Sequence, residues 1–235
     1  MLMKIKSKLL QELNVIRVTK LISYVGFYIN LFNIYRSIRL KIPPQLKTIK
    51  TKEDDLTEKK YLNYIFWSKE CLIRFYRLNL HKKGSSIRVL DLGTGFGFFP
   101  YICNELGHQA ECLDSPESDL YREITETLKL KRYEETIHAF QPIELNGGSS
   151  KYDLVTAFMI CFNNHKSPGL WGTDEWKFFI LELYRNHLKE DALIYLSFNQ
   201  EENGMFFDPS LEKFFKDNSY KINTNNVLIT HPPSN

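Results

Sequence analysis

Only four cysteines occur in 235 residues, Cys71, Cys103, Cys112 and Cys161, and no two of them form a C-x-x-C pair. That spacing argues against a structural zinc or a disulfide framework. Three of the four lie in apolar or periodic segments, so they are expected to be reduced core or near-core thiols in a cytosolic protein. The 11 glycines and 9 prolines follow no period, which excludes a fibre or a long linker. Long hydrophobic runs are missing as well. The most apolar stretch, Leu21 to Tyr35, contains Ser23, Asn30 and Asn33 and is shorter than the roughly 20 residues of a membrane-crossing helix. Met1 to Lys8 is basic, but no apolar segment with a small-residue cleavage site follows, so secretion is not expected.

Net charge is nearly absent too, at +3, but the total hides a division. Residues 1–52 hold eleven basic residues and one acid, Glu12, for +10; the remaining 20 basic and 27 acidic residues leave −7 on the rest. With 43% hydrophobic residues the chain is far from the composition of disordered proteins and can bury one substantial core with an accessory segment. A basic arm on an acidic body is the expected organisation, with a boundary near residues 55 and 56.

From Ser7 to Leu40 apolar residues recur at helical spacing with Lys and Arg between them, which predicts one or two amphipathic helices. Pro43 and Pro44 end that region, and Lys47 to Lys60 reads as a linker. A further helix is predicted over Leu56–Leu80. Short apolar runs then alternate with helical stretches. Strands are expected at Ile87–Leu90, Gln109–Leu113, Glu135–Ala139, Tyr152–Met159 and Ala192–Phe198. Helices are expected at Phe98–Leu106, Leu120–Leu128, Glu175–Leu188 and Pro209–Asp217, with a closing hairpin from Tyr220 to Thr230. Such alternation calls for an open, mostly parallel sheet with helices on both faces.

The most informative segment is Ile87 to Phe99, where a strand runs into D-x-G-x-G-x-G, with Asp91, Gly93, Gly95 and Gly97, and a helix follows at once. Glycines there permit a tight turn and close approach of a ligand to the backbone. The next strand ends in Asp114, seventeen residues after Gly97, where a carboxylate can accept both hydroxyls of a ribose. Position and spacing indicate a nucleoside-containing cofactor. The nicotinamide pattern needs a third glycine three positions after the second, and that position is Phe98. Asp91 would repel a pyrophosphate but suits an ammonium, so an amino-acid-bearing nucleoside is favoured.

At this point the chain resembles the class I S-adenosylmethionine-dependent methyltransferases. Val89 to Gly97 (VLDLGTGFG) looks like their first motif, Asp114 like their ribose-binding acid, and Tyr152-Asp-Leu-Val like their fourth-strand motif. Leu188-Lys-Glu-Asp-Ala is similar to their L-K-P-G-G, with Glu190, Asp191 and Ala192 replacing Pro-Gly-Gly. The resemblance covers about residues 60–230. It implies a doubly wound, mostly parallel seven-stranded sheet, a Rossmann-like methyltransferase fold, as the cofactor domain over 56–235; the charge and helical spacing of the segment before it make 1–55 an expected N-terminal basic helical extension or lid. The resemblance further implies that S-adenosylmethionine is held by Asp91, Gly93, Gly95, Gly97 and Asp114, with Phe140 and Gln141 in the region where the family contacts adenine. An acid is common there, and none is found in the expected place.

Methyl transfer from a sulfonium needs mainly alignment, plus a base when the acceptor is a hydroxyl. The polar and aromatic loop after the fourth strand, Phe158 to Trp176, is where such groups belong. His165 is the candidate base, Asn163 and Asn164 the candidate acceptor contacts, and Trp171 or Trp176 a candidate wall; a solvated loop histidine and core tryptophans are the bland alternatives. No histidines stand at metal-ligand spacing, so no metal site is expected. The [N/D/S]-P-P-[Y/F/W] motif of base amino-methyltransferases is replaced by Ala157-Phe-Met-Ile, and Phe158 to Phe162 lacks the acid of aminopropyl-transferring relatives. A small-molecule, saccharide or lipid-linked acceptor, methylated at oxygen, is therefore expected, in the cytoplasm. The basic arm stays open between a helical lid, peripheral membrane contact and, less favoured, a grip on RNA or other nucleic acid. A non-catalytic scaffold with the same fold is the remaining alternative.

Overall fold

The apolar run after Ser86 forms strand β1 (Arg88–Leu92), and its alternation sends Val89 to one side of a sheet and Leu90 and Leu92 to the other. The structure is a computed structural model and describes residues 25–42, 60–145 and 151–234. Around β1 stand β2 (Gln109–Asp114), β3 (Arg132–Glu134), β4 (Tyr152–Ile160), β5 (Leu188–Phe198), β6 (Lys221–Asn223) and β7 (Asn226–Ile229). They make one seven-stranded sheet in the order β3-β2-β1-β4-β5-β7-β6. The first five strands are parallel, and β7 runs antiparallel to both β5 and β6. The strand order reverses between β1 and β4, which opens a crevice at the carboxyl ends of those strands.

The helices are α1 (25–41), α2 (Tyr64–Arg77), α3 (Phe98–Glu105), α4 (Asp119–Thr127), α5 (Thr173–Asn186) and α6 (Pro209–Asp217). Local chemistry sets their starts. Asn63, Ser118 and Asp208 cap α2, α4 and α6 by accepting the amides of Phe66, Tyr121 and Leu211. At α5 the cap is Gly172, and Glu175 reaches back to its N–H at 3.0 Å. One face of the sheet is covered by α1 to α4 and the other by α5 and α6, each over its own apolar cluster.

Helix α1 is part of this body. Its inner face places Ile34 and Ile38, at 2% and 0% exposed, in the same cluster as Phe75 of α2 and Ile102 of α3. Burial contributes about 1.5–3 kcal/mol for each isoleucine. Polar contacts fix the rotation of the helix: Ser37 Oγ lies 2.6 Å from the Tyr101 hydroxyl, and Lys41 reaches Glu105 at 3.1 Å. Residues 1–24 and 43–59, with the linker and the expected domain boundary, lie outside the described residues. No helix among the described residues is long and apolar enough to cross a membrane.

Three expectations need correction. The third strand is Arg132–Glu134, not Glu135–Ala139. It is an edge strand, paired among the described residues with β2 alone, so it needs few apolar residues, and the chain leaves the sheet after the Glu135 amide bonds Asp114 O. Strand β5 begins at Leu188 instead of Ala192, because the buried Leu188 already pairs with Tyr152 of β4, whose amide donates to His187 O at 2.8 Å. Cys161 is exposed, whereas the other three thiols are buried.

Candidate functional site

The crevice at the strand ends is a cavity of about 420 Å³. Its floor is the turn between β1 and α3. The Gly93 amide donates to Leu113 O at 2.9 Å and the Gly95 amide to Asp114 Oδ2 at 2.5 Å, so the end of β2 holds the loop in shape. The glycines have different tasks. Gly95 sits at φ +56° on the cavity wall, and a Cβ added there would point into open space. Gly97 does not line the cavity. At φ +71° its missing Cβ would stand 2.4 Å from Leu130 Cδ1 and 3.0 Å from Thr125 Cγ2, so it permits α3 to pack against α4 and its following turn.

Two carboxyls face this loop. Asp91, 3% exposed, accepts the hydroxyl of Thr156 at 2.6 Å on one oxygen and that of Thr94 at 2.8 Å on the other. Burial pushes its pKa up to about 6, opposed by those two hydrogen bonds and the nearby Arg74. Asp114 is also raised by burial, against the stabilising amides of Gly95 and Ser115. Arg74 of α2 enters the cavity with its guanidinium 4.4 Å from the centre of the Phe158 ring. Among the described residues it has no carboxylate within ion-pair distance. The site thus presents a buried anion, a second carboxyl seventeen residues of sequence beyond Gly97, and a cation without an ion-pair partner among the described residues.

Several solved structures are similar to this chain. A ribosomal protein L11 methylase from Lactobacillus delbrueckii subsp. bulgaricus matches at 18% identity over 70% of this chain and 77% of its own, with a TM-score of 0.42. The magnesium protoporphyrin IX methyltransferase of Synechocystis PCC 6803, solved with bound SAH, matches at 15% over 70% and 82%, with a TM-score of 0.45. A TehB-like SAM-dependent methyltransferase of Corynebacterium glutamicum matches at 13% over 67% and 86%, with a TM-score of 0.44. The likeness is one of fold. The chain spans about half of some others, such as the glycopeptide N-methyltransferase MtfA, at 54% of that chain. No protein-family model and no curated protein matches the sequence.

Of the residues singled out in the sequence, Asp91, Gly93, Gly95, Asp114 and Asn164 line the cavity; Gly97, Phe140, Gln141, Asn163 and His165 do not. Phe140 is 53% exposed and packs on Phe178. Because β3 ends earlier than expected, Glu135 to His138 line the cavity in place of Phe140 and Gln141. The acid sought after the third strand is therefore present as Glu135, with its carboxylate accepting the Glu144 amide at 2.8 Å. Asn163 is buried with an unpartnered Oδ1, and Asn164 donates to Gly169 O at 2.9 Å. His165 pairs through Nδ1 with Glu201 at 2.8 Å. A carboxylate can only accept, so Nδ1 carries the proton there and, in the neutral ring, Nε2 has the free lone pair. Trp171 and Trp176, at 3% and 0% exposed, belong to the core behind Phe162, which does line the cavity.

Sequence reading missed Arg74, Thr94 and Thr156. Thr94 lay in plain view within the glycine loop, but arginine in the last turn of a helix and threonine in a buried strand carry no local signal. The acid of the fourth-strand motif, Asp153, is far from this chemistry in role: it accepts the Arg88 amide at 2.8 Å and binds Lys189, joining the starts of β1, β4 and β5.

Proposed function

We propose that this protein is an S-adenosylmethionine-dependent methyltransferase acting at oxygen on a small-molecule, saccharide or lipid-linked acceptor. The observation that carries the reading is the convergence of Asp91, the Gly93–Gly95 turn, Asp114 and Arg74 on one cavity. These groups fit a nucleoside that bears an amino acid. Asp91 suits the ammonium, Arg74 the carboxylate and Asp114 the ribose hydroxyls, while the absent Cβ of Gly95 leaves room beside the backbone. Bound there, S-adenosylmethionine supplies an activated methyl group on a sulfonium. The protein's own work is to hold the acceptor oxygen in line and to take its proton. His165 is the proposed base, with Nε2 free and Glu201 fixing the ring, and Asn164 on the cavity wall is the proposed acceptor contact.

Calorimetry tests the cofactor assignment. S-adenosylmethionine should bind, and Arg74→Gln should weaken binding about tenfold, the loss of one charge-assisted contact; S-adenosylmethionine that fails to bind rejects the assignment. The pH response is equally specific. A carboxyl raised in the folded state adds stability below its ordinary value near 3.8 and loses it as pH rises through about 6. Affinity for an ammonium runs the other way, needing the ionised form. Binding should therefore strengthen as pH rises from 5 to 7, and Asp91→Asn should lower affinity and flatten that slope.

For the base, His165→Ala should cost about a hundredfold in kcat on an oxygen acceptor with unchanged cofactor affinity. Equal turnover in the variant and the wild-type protein removes His165 from the mechanism. One observation favours the rival reading of a binding protein without turnover: His165 does not line the cavity. Product formation on a panel of sugars, lipids and RNA decides between them.

A further inference from the structure

The outer face of α1 is apolar where a surface helix is normally polar. Val25, Tyr28, Ile29 and Phe32 recur at helical spacing and are 51%, 62%, 55% and 63% exposed, flanking one shallow groove. Positions 36 and 39 continue the same line and are Arg36 and Arg39, both exposed. Among the described residues neither arginine has a carboxylate within ion-pair distance. The helix has no acid of its own, and Lys41 is the basic residue on it that Glu105 pairs. The inner face is already used, with Ile34, Ile38 and Ile42 in the core. Rotation of the outer ridge into the body would break the Ser37–Tyr101 and Asn30–Tyr76 contacts, so the ridge is a fixed feature of the surface.

We infer that this face of α1 is a peripheral docking surface for anionic lipid bilayers. An apolar ridge about 10 Å long, from four residues over two turns, can enter only the interfacial layer, consistent with a helix that lies on a membrane and does not cross it. Tyr28 suits the headgroup level, where a ring with a polar tip is favoured. The arginines on the same line meet lipid phosphates and carboxylates, in a stretch of sequence, 1–52, that has a net charge of +10 with them included. Charge complementarity selects the anionic bilayer over a second copy of this chain, because the matching face would be equally basic. No α1 residue lines the cavity, so the inference does not rest on the methyltransferase reading and can fail without it.

The test is sedimentation of the full chain with vesicles of phosphatidylcholine alone or mixed with phosphatidylserine. Binding should require phosphatidylserine and decline as salt is raised. Ile29→Ser with Phe32→Ser should weaken it by roughly tenfold, and Arg36→Gln with Arg39→Gln by a similar factor together with a shallower salt dependence. All four positions are exposed, so thermal melting should be unchanged. Absence of binding to phosphatidylserine vesicles overturns the inference, as does wild-type binding by both double variants. A dimer in sedimentation equilibrium that Phe32→Ser disperses would assign the ridge to self-association instead. Retention of RNA in preference to vesicles would assign the charge to nucleic acid.

Discussion

Asp114→Ala is expected to lower affinity for S-adenosylmethionine by about a hundredfold or more, since hydrogen bonds to a charged group contribute about 1.5–3 kcal/mol each and this carboxylate makes several. It already accepts the amides of Gly95 and Ser115, at 2.5 and 2.9 Å, and in the proposed complex also the ribose hydroxyls. Removing it costs twice, once in ligand contacts and once in the shape of the turn that holds the ligand. Asp114→Asn separates the two. Its side-chain oxygen can still accept the Gly95 amide, so the loop keeps its form while the charge is lost, and affinity should fall less than in the alanine variant. Calorimetry on both, with melting temperatures as the control for folding, reads the difference. Wild-type affinity in Asp114→Ala would end the assignment of this cavity to a ribose-bearing cofactor.

Gly97→Ala should have the largest effect on the fold itself. Two costs add. An alanine at φ +71° is strained by about 1–2 kcal/mol, and a Cβ placed 2.4 Å from Leu130 Cδ1 overpacks the contact between α3 and the turn after α4, typically by 1–3 kcal/mol. A loss of about 2–5 kcal/mol in denaturant unfolding follows. Leu130→Ala in the same chain should recover part of the steric component and none of the backbone strain, so the double variant should be more stable than the sum of the single losses predicts. Gly95→Ala is the contrasting case. Its Cβ meets nothing, so its stability cost should be close to the backbone strain alone, whereas affinity for the cofactor should drop because the methyl group occupies the cavity wall. If Gly95→Ala proves the more destabilising of the two, the division of labour within the loop is wrong.

The fold was legible where its signals are local. A buried parallel strand must be a short apolar run, and the turn from β1 to α3 must be glycine-rich if the backbone takes left-handed angles at Gly93, Gly95 and Gly97. The bounds of β1, β2 and β4 were therefore readable to within two residues. The third strand was not, because an edge strand such as β3 needs few apolar residues, and Ile137 with Ala139 imitated the pattern just beyond it. That single displacement moved the expected adenine region from Glu135–His138 to Phe140 and Gln141, and hid the acid that follows the strand.

The candidate site divides in the same way. Asp91, Gly95 and Asp114 were visible in the sequence because each occupies a strand end or the turn itself, where backbone geometry alone puts it on the cavity. Arg74 comes from a helix whose sequence carries no mark of a site, and Thr156 from a strand whose motif gave that threonine no role; they reach Asp91's surroundings because α2 packs near Phe158 and β4 lies beside β1. The same holds for the outer face of α1. The basic character of residues 1–52 is a property of composition, but which apolar residues point inward and which stand exposed beside Arg36 and Arg39 depends on where α1 packs against α2 and α3. Sequence by itself determined the strand, turn and acid that form the floor of the site, since those follow from local backbone conformation. Only the tertiary structure decided which distant side chains meet over that floor and which helix face is left to solvent, since both depend on contacts between segments far apart in the chain.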